Sequence, residues 1–199
     1  ALGLVAAGGG VLACVEARPP GREAGPGLVE WFEARSHAAM AGRSRVEAAA
    51  RTLQRRNAAS PFCTSSDVDL FLVGLDERAA MDALVAVHAA VVRNACARVA
   101  CVRSASAITF SAGFPRRNVQ VVLRLYASAA AVLDSFDVDA CCFAYDGERV
   151  WGAPRGVRAL CEKLCRVDAA RRSLTYEARL VKYALRGYAV YVPPAPHRP

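Results

Sequence analysis

Short apolar runs separated by polar and glycine-rich breaks set out the elements of this chain. Residues 2–7, the triplet Gly8-Gly9-Gly10 and residues 11–15 give an apolar, glycine, apolar order. Glycines there let the backbone turn sharply and approach a ligand closely. Residues 16–28 are rich in Pro and Gly and predict a linker. The charged stretch 29–54 has helical character but few large apolar residues, which predicts a surface helix; residues 57–64 predict a loop. The pattern then tightens. Residues 67–73 (DVDLFLV) have the β-branched and aromatic character of a buried strand. Asp76 can cap a helix over 77–97, with Met81, Leu84, Val85, His88 and Val92 as its inner stripe.

Short strands are predicted at 99–103 and 107–110, then a turn at Pro115-Arg116-Arg117-Asn118 and a strong strand at 119–126 (VQVVLRLY). Ser128 caps a short helix to 133, residues 136–145 predict another strand, and Asp146-Gly147 makes a hairpin turn into 149–151. Pro154 opens a helix to about 165, and Ser173 caps a second over 174–186, stopped by Gly187. Residues 188–192 (YAVYV) alternate as a last strand before a Pro-rich tail at 193–199. The order predicts an α+β fold, a mixed β-sheet flanked by helices.

Composition narrows the class. At 199 residues the chain suits one domain, with 16–64 as an insertion or linker. Hydrophobic residues at 54% and charged residues at 22% exclude wholesale disorder. No apolar run is long enough to span a membrane. The net charge of +8 favours an anionic partner such as nucleotide or nucleic acid. Yet only Lys163 and Lys182 are lysines among 26 basic residues, and an arginine- and alanine-rich chain points to GC-rich coding as part of that charge.

The eight cysteines (Cys14, Cys63, Cys96, Cys101, Cys141, Cys142, Cys161 and Cys165) contain no Cys-x-x-Cys pair, and His37, His88 and His197 are scattered. That spacing argues against structural zinc and for reduced thiols in an intracellular protein, cytoplasmic or nuclear. The start at Ala1 without methionine suggests a fragment or excised domain. Residues 1–15 lack the basic flank of a signal peptide.

The chemistry centres on Asp67 and Asp69. Two apart on a strand, their carboxylates share one face, while Val68, Leu70 and Leu72 form the apolar other face. Adjacent carboxylates repel and call for a cation between them, and magnesium with nucleotide phosphates is the natural occupant.

Ser65-Ser66-Asp67-Val68-Asp69-Leu70, with a glycine-rich helix start upstream, resembles the polymerase-β-like nucleotidyltransferases. That resemblance implies a phosphate-holding helix start at Gly8, Gly9 and Gly10, two magnesium ions on Asp67 and Asp69, and a nucleoside triphosphate, ATP among them, as substrate. Ser65, Ser66, Arg116 and Arg117 join the candidate phosphate contacts. Gly10 stands where the family usually has Ser, and residues 16–64 separate motifs that it normally keeps close. Gln120 occupies the position of the third acid; an amide can coordinate a cation but brings no charge and cannot act as a base. Asp137 and Asp139, a second D-x-D, are the candidates to complete the site. The span from the first D-x-D to Tyr191-Val192-Pro193 also resembles nucleotidyltransferase-like modules attached to ankyrin-repeat proteins of fungi, amoebae and large DNA viruses. That likeness implies a place in a larger multidomain protein.

Arg179, Lys182 and Arg186 recur on one face of the 174–186 helix and suit either phosphate or solvent. Tyr176, Tyr183, Tyr188 and Tyr191 fit core or rim better than base stacking. Two readings follow: an active magnesium-dependent nucleotidyltransferase with RNA or a protein as acceptor, or an inactive nucleotide-binding or protein-interaction module. General RNA binding rests on charge alone.

Overall fold

The computed structural model describes residues 3–16, 66–114 and 116–194. The predicted linker beyond Glu16, the helix at 29–54, the loop at 57–64 and most of the tail lie outside these residues. Among the described residues there are nine strands: β1 (Leu4–Ala7), β2 (Val68–Val73), β3 (Ala100–Arg103), β4 (Ala107–Ser111), β5 (Val119–Tyr126), β6 (Phe143–Tyr145), β7 (Val150–Gly152), β8 (Leu164–Arg166) and β9 (Ala189–Tyr191). Five α-helices accompany them: α1 (Gly9–Glu16), α2 (Glu77–Ala95), α3 (Ala129–Asp134), α4 (Pro154–Glu162) and α5 (Tyr176–Ala184). Seven strands form one mixed sheet in the order β3-β4-β5-β2-β1-β6-β7, and β8 and β9 pair in parallel apart from it. The architecture is α+β, as the sequence predicts.

Strand β2 runs down the middle, antiparallel to β1 and parallel to β5. Both of its faces are covered. Val68 and Leu72 join a large cluster with Val11, Leu12, Leu84, Val87, Val121 and Tyr183, and Leu70 packs against it. On the opposite face Phe71 packs with Val5, Ala7, Val132 and Leu133. The apolar face expected of β2 is therefore core, and Asp69 shares the Phe71 face at the strand's start.

Four local expectations change. The inner stripe of α2 is Ala80, Ala83, Leu84, Val87 and Ala90, while Met81, Val85 and Val92 are exposed. Small alanines let the helix lie close to the sheet, so the bulkier apolar residues turn outward. His88 is also exposed and leans on Phe110, ring centres 5.5 Å apart. Residues 136–145 are not one strand: Asp139–Cys141 is a 3-10 turn and only Phe143–Tyr145 pairs. Finally, Lys163, in the left-handed region at φ 51°, ends α4 before Leu164–Arg166 becomes β8. Ser173 does not cap α5; its hydroxyl donates to Asp137 Oδ2 at 2.7 Å.

Of the seven described cysteines, Cys14, Cys141, Cys142 and Cys165 are buried. No helix among the described residues is long and apolar enough to cross a membrane.

Candidate functional site

The site begins where β1 ends. Ala7 stands opposite Asp69 in the β1–β2 ladder, Asp69 opposite Gln120 in the β2–β5 ladder, and Gln120 opposite Thr109 on β4. One row across the sheet thus reads Ala7, Asp69, Gln120, Thr109. The chain leaves this row through Gly8 at φ +89°, a conformation that disfavours any side chain. The Gly8 carbonyl accepts from the N–H groups of Val11 and Leu12, both at 3.1 Å, and so closes the first turn of α1. A β-carbon on Gly8 would lie 3.8 Å from Asp69 Oδ2, and one on Gly10 only 3.3 Å from the Asp67 carbonyl oxygen. The glycine start and the D-x-D strand, distant in sequence, are neighbours in space.

Asp67 is held by the turn that precedes β5. Asn118 Nδ2 donates to Asp67 Oδ1 at 3.2 Å, and the Asn118 carbonyl accepts from the Val68 N–H at 2.9 Å. Asp69 has no such support. Burial pushes its carboxyl up to about 6, the Asp67 carboxylate beside it adds to the rise, and Lys182 and Arg179 on α5 partly oppose it. Two carboxylates share a half-buried corner with too little positive charge between them. This all-oxygen donor set suits a hard divalent cation. Among the described residues no group of three or more His, Cys, Asp or Glu gathers for a metal. Gln120 completes the row without a charge, its Nε2 donating to Thr109 Oγ1 at 3.1 Å.

Asp137 and Asp139 are committed elsewhere. Asp137, 5% exposed, accepts from Ser173 and pairs with Arg179 Nη1 at 3.0 Å. Asp139, 6% exposed, faces Arg155 Nη1 at 3.2 Å and Arg158 Nη2 at 3.7 Å, and accepts from the Arg166 N–H at 3.2 Å. Neither carboxylate joins Asp67 and Asp69 in a three-acid group, and the two do not share a strand face. Of the pair, Asp137 lies nearer the site electrically, because its partner Arg179 also acts on Asp69.

The cations acting on Asp69 come from α5 and not from the 115–118 turn, where Arg116 is exposed and Arg117 half-buried. Ser66 is buried and its Oγ accepts from Arg186 Nη2 at 2.8 Å, whereas Ser65 lies outside the described residues. Arg186 stacks on the Tyr183 ring at 5.2 Å, and the Tyr183 hydroxyl accepts from Cys141 Sγ at 3.0 Å. A β-carbon on Gly9 would lie 2.9 Å from that hydroxyl and 3.5 Å from Arg186 Nη1. Asn118 and Tyr183 were not readable as site residues. Their roles depend on the parallel β2–β5 pairing and on the fold-back of α5, neither of which leaves a local motif.

The fold and site together define a mixed α+β protein with paired aspartates at the start of its central strand. The chain belongs to the Gabija anti-defense 2 family, which it matches over residues 1–163. It is also 38% identical over 93 residues to an uncharacterized protein of Acanthamoeba polyphaga mimivirus, a match covering 46% of this chain. The chain spans 20% of that relative's length. No solved structure matches it.

Proposed function

We propose that this chain is a nucleotidyltransferase-like domain that binds a magnesium–nucleoside triphosphate, with its transfer chemistry impaired at Gln120. One observation carries the reading: the row that sets Ala7, Asp69 and Gln120 side by side, with Gly8 leading from it into the helix start against Asp69. Backbone N–H groups at a glycine-rich helix start favour phosphate. Asp67 and Asp69 would hold the metal, which, when bound, would supply charge neutralisation to phosphate oxygens. Asn118 fixes the orientation of Asp67, and the sheet fixes that of Asp69. Gln120 can offer an oxygen but cannot accept a proton from an attacking hydroxyl. That no third acid joins the pair among the described residues favours, as a second reading, a module that binds nucleotide without turning it over. The family's name describes opposition to Gabija defence, and we extend that role to this chain, to be tested by whether its expression relieves restriction by a Gabija system.

Calorimetric titration with Mg-ATP tests the site, and transfer of labelled nucleotide tests turnover. The reading requires saturable binding in wild type that falls at least about tenfold in Asp67→Asn/Asp69→Asn, since charge-assisted contacts are each worth about 1.5–3 kcal/mol. Equal binding in both proteins would sink it. Gln120→Glu is expected to strengthen magnesium binding by about tenfold and, if the site is otherwise competent, to raise transfer above wild type. A variant that folds yet binds magnesium no better removes Gln120 from the metal's reach.

A further inference from the structure

Strand β3 ends the seven-stranded sheet and pairs, among the described residues, with β4 alone. Every residue from Ala100 to Arg103 is exposed, Val102 by 62%. The Ser104 N–H donates to the Ala107 carbonyl at 2.8 Å, and bonded and unbonded pairs alternate along an antiparallel ladder. Val102 therefore bonds Thr109, while Cys101 and Arg103 turn their N–H and C=O groups outward. Neither a proline nor a bulge interrupts β3 to keep another strand away. Helix α2 overlooks the same edge. His88 rests on Phe110, the strand neighbour of Cys101. At helical spacing the exposed Met81, Val85 and Val92 lie on the His88 side of α2. An exposed apolar stripe beside a bare strand edge marks an interaction surface.

We infer that β3 pairs antiparallel with β3 of a second copy, about a two-fold axis at Val102, and joins two sheets into one. The edge is complementary to itself. Cys101 of each copy lies opposite Arg103 of the other, so the outward N–H and C=O groups bond one another. Val102 meets its own symmetry mate at an unbonded pair, where side chains come closest and apolar residue covers apolar residue. The axis also turns the two α2 stripes towards each other, running in opposite directions. Asp76, Glu77 and Asp82 outnumber Arg78 near the start of α2, and Arg93 and Arg98 follow at its end. Opposite charges thus face each other across the axis. The strand edge alone is smaller than a stable interface needs; the helix stripes enlarge it, which places association in the micromolar range. Val102 also ends the row that carries Asp69, Gln120 and Thr109. Pairing through it sets both aspartate corners on one face of a continuous sheet, roughly 30 Å apart at about 4.8 Å per strand. The joint stands whatever that corner binds.

Sedimentation velocity of the full chain reads the assembly, and wild type is expected to pass from monomer to dimer between about 1 and 200 µM. Val102→Glu, at an exposed position, should weaken the dimer about tenfold or more and leave the urea midpoint unchanged. Cys101→Pro removes an outward donor without touching the β4 ladder and should also weaken the dimer. Register is read by oxidation in a Cys96→Ser/Cys101→Ser/Cys161→Ser chain, which by itself should not crosslink. Adding Val102→Cys should join two copies through a disulfide. Adding Arg103→Cys should not, because those positions are diagonal neighbours, too far apart for a bridge. A wild type that stays monomeric at the highest concentration overturns the pairing and leaves the edge to another partner or another part of this chain. A dimer untouched by Val102→Glu, or crosslinked through Arg103→Cys and not Val102→Cys, overturns it as well.

Discussion

Replacing Arg155 with alanine is expected to cost about 3–5 kcal/mol of folding free energy, because it leaves a buried carboxylate without its main partner. Arg155 is a three-way tie. Its Nη1 holds Asp139 Oδ1, and its Nη2 donates to the carbonyls of Leu133 at 2.8 Å and Phe136 at 2.6 Å. The guanidinium is 15% exposed and the Asp139 side chain 8%, so water can replace little of what is lost. Arg158, more exposed and farther away, offsets only part of it. Lysine at 155 can reach one partner but not all three, so Arg155→Lys should recover less than half of the loss. Urea denaturation reads the effect as a lower midpoint at unchanged slope. Asp139→Asn combined with Arg155→Ala should be milder than the sum of the single variants, since the uncompensated charge is gone. A cost below about 1 kcal/mol for Arg155→Ala would mean that the Asp139 knot does not hold this corner.

Asp69→Asn is expected to act in the opposite direction. The folded-state carboxyl titrates at about 6 because burial and Asp67 disfavour its charge, against an ordinary 3.8. Below pH 4 both folded and unfolded chains carry the proton, so Asp69 makes no difference to stability. As pH rises from about 4 to 6 the unfolded chain loses its proton first, and the folded state becomes less stable by up to about 3 kcal/mol. Above pH 6 that penalty stays constant. Asp69→Asn removes it, so the metal-free variant should unfold at higher temperature than wild type at pH 8 and at the same temperature near pH 4. Magnesium should reverse the ranking, raising the wild-type midpoint while leaving Asp69→Asn unmoved. Thermal unfolding at both pH values, with and without magnesium, checks every part. A wild type no less stable than the variant at pH 8 would show that burial and Asp67 do not disfavour the Asp69 charge.

The strands carrying the site were legible because their signals are local. DVDLFLV and VQVVLRLY each combine β-branched runs with polar punctuation, and both form strands, with Val68, Phe71 and Leu72 of the first and Val119 and Val121 of the second buried. The glycine triplet was legible for the same reason. The FDVD segment was not. Its two acids have the spacing of a strand, but Ser173, Arg179, Arg155 and Arg158, all more than fifteen residues away in sequence, satisfy them and hold the backbone in a turn. Helix α2 was legible as a helix but not in its orientation. Alanine counts weakly in any apolar pattern, yet Ala80, Ala83 and Ala90 made the contact and displaced Met81 and Val85 to the surface. Long-range charge and close packing decided these cases, and neither is written in a local window.

The β1–β2 ladder also has a consequence for the order of assembly. Ala7 and Asp69 meet only when the whole connection from Glu16 to Ser66 has been closed into a loop, whereas β3, β4 and β5 pair within one continuous stretch. Contacts between distant parts of a chain form late and slowly. The glycine start and the aspartates therefore come together at the end of folding, and a ligand of this corner should slow unfolding without speeding refolding.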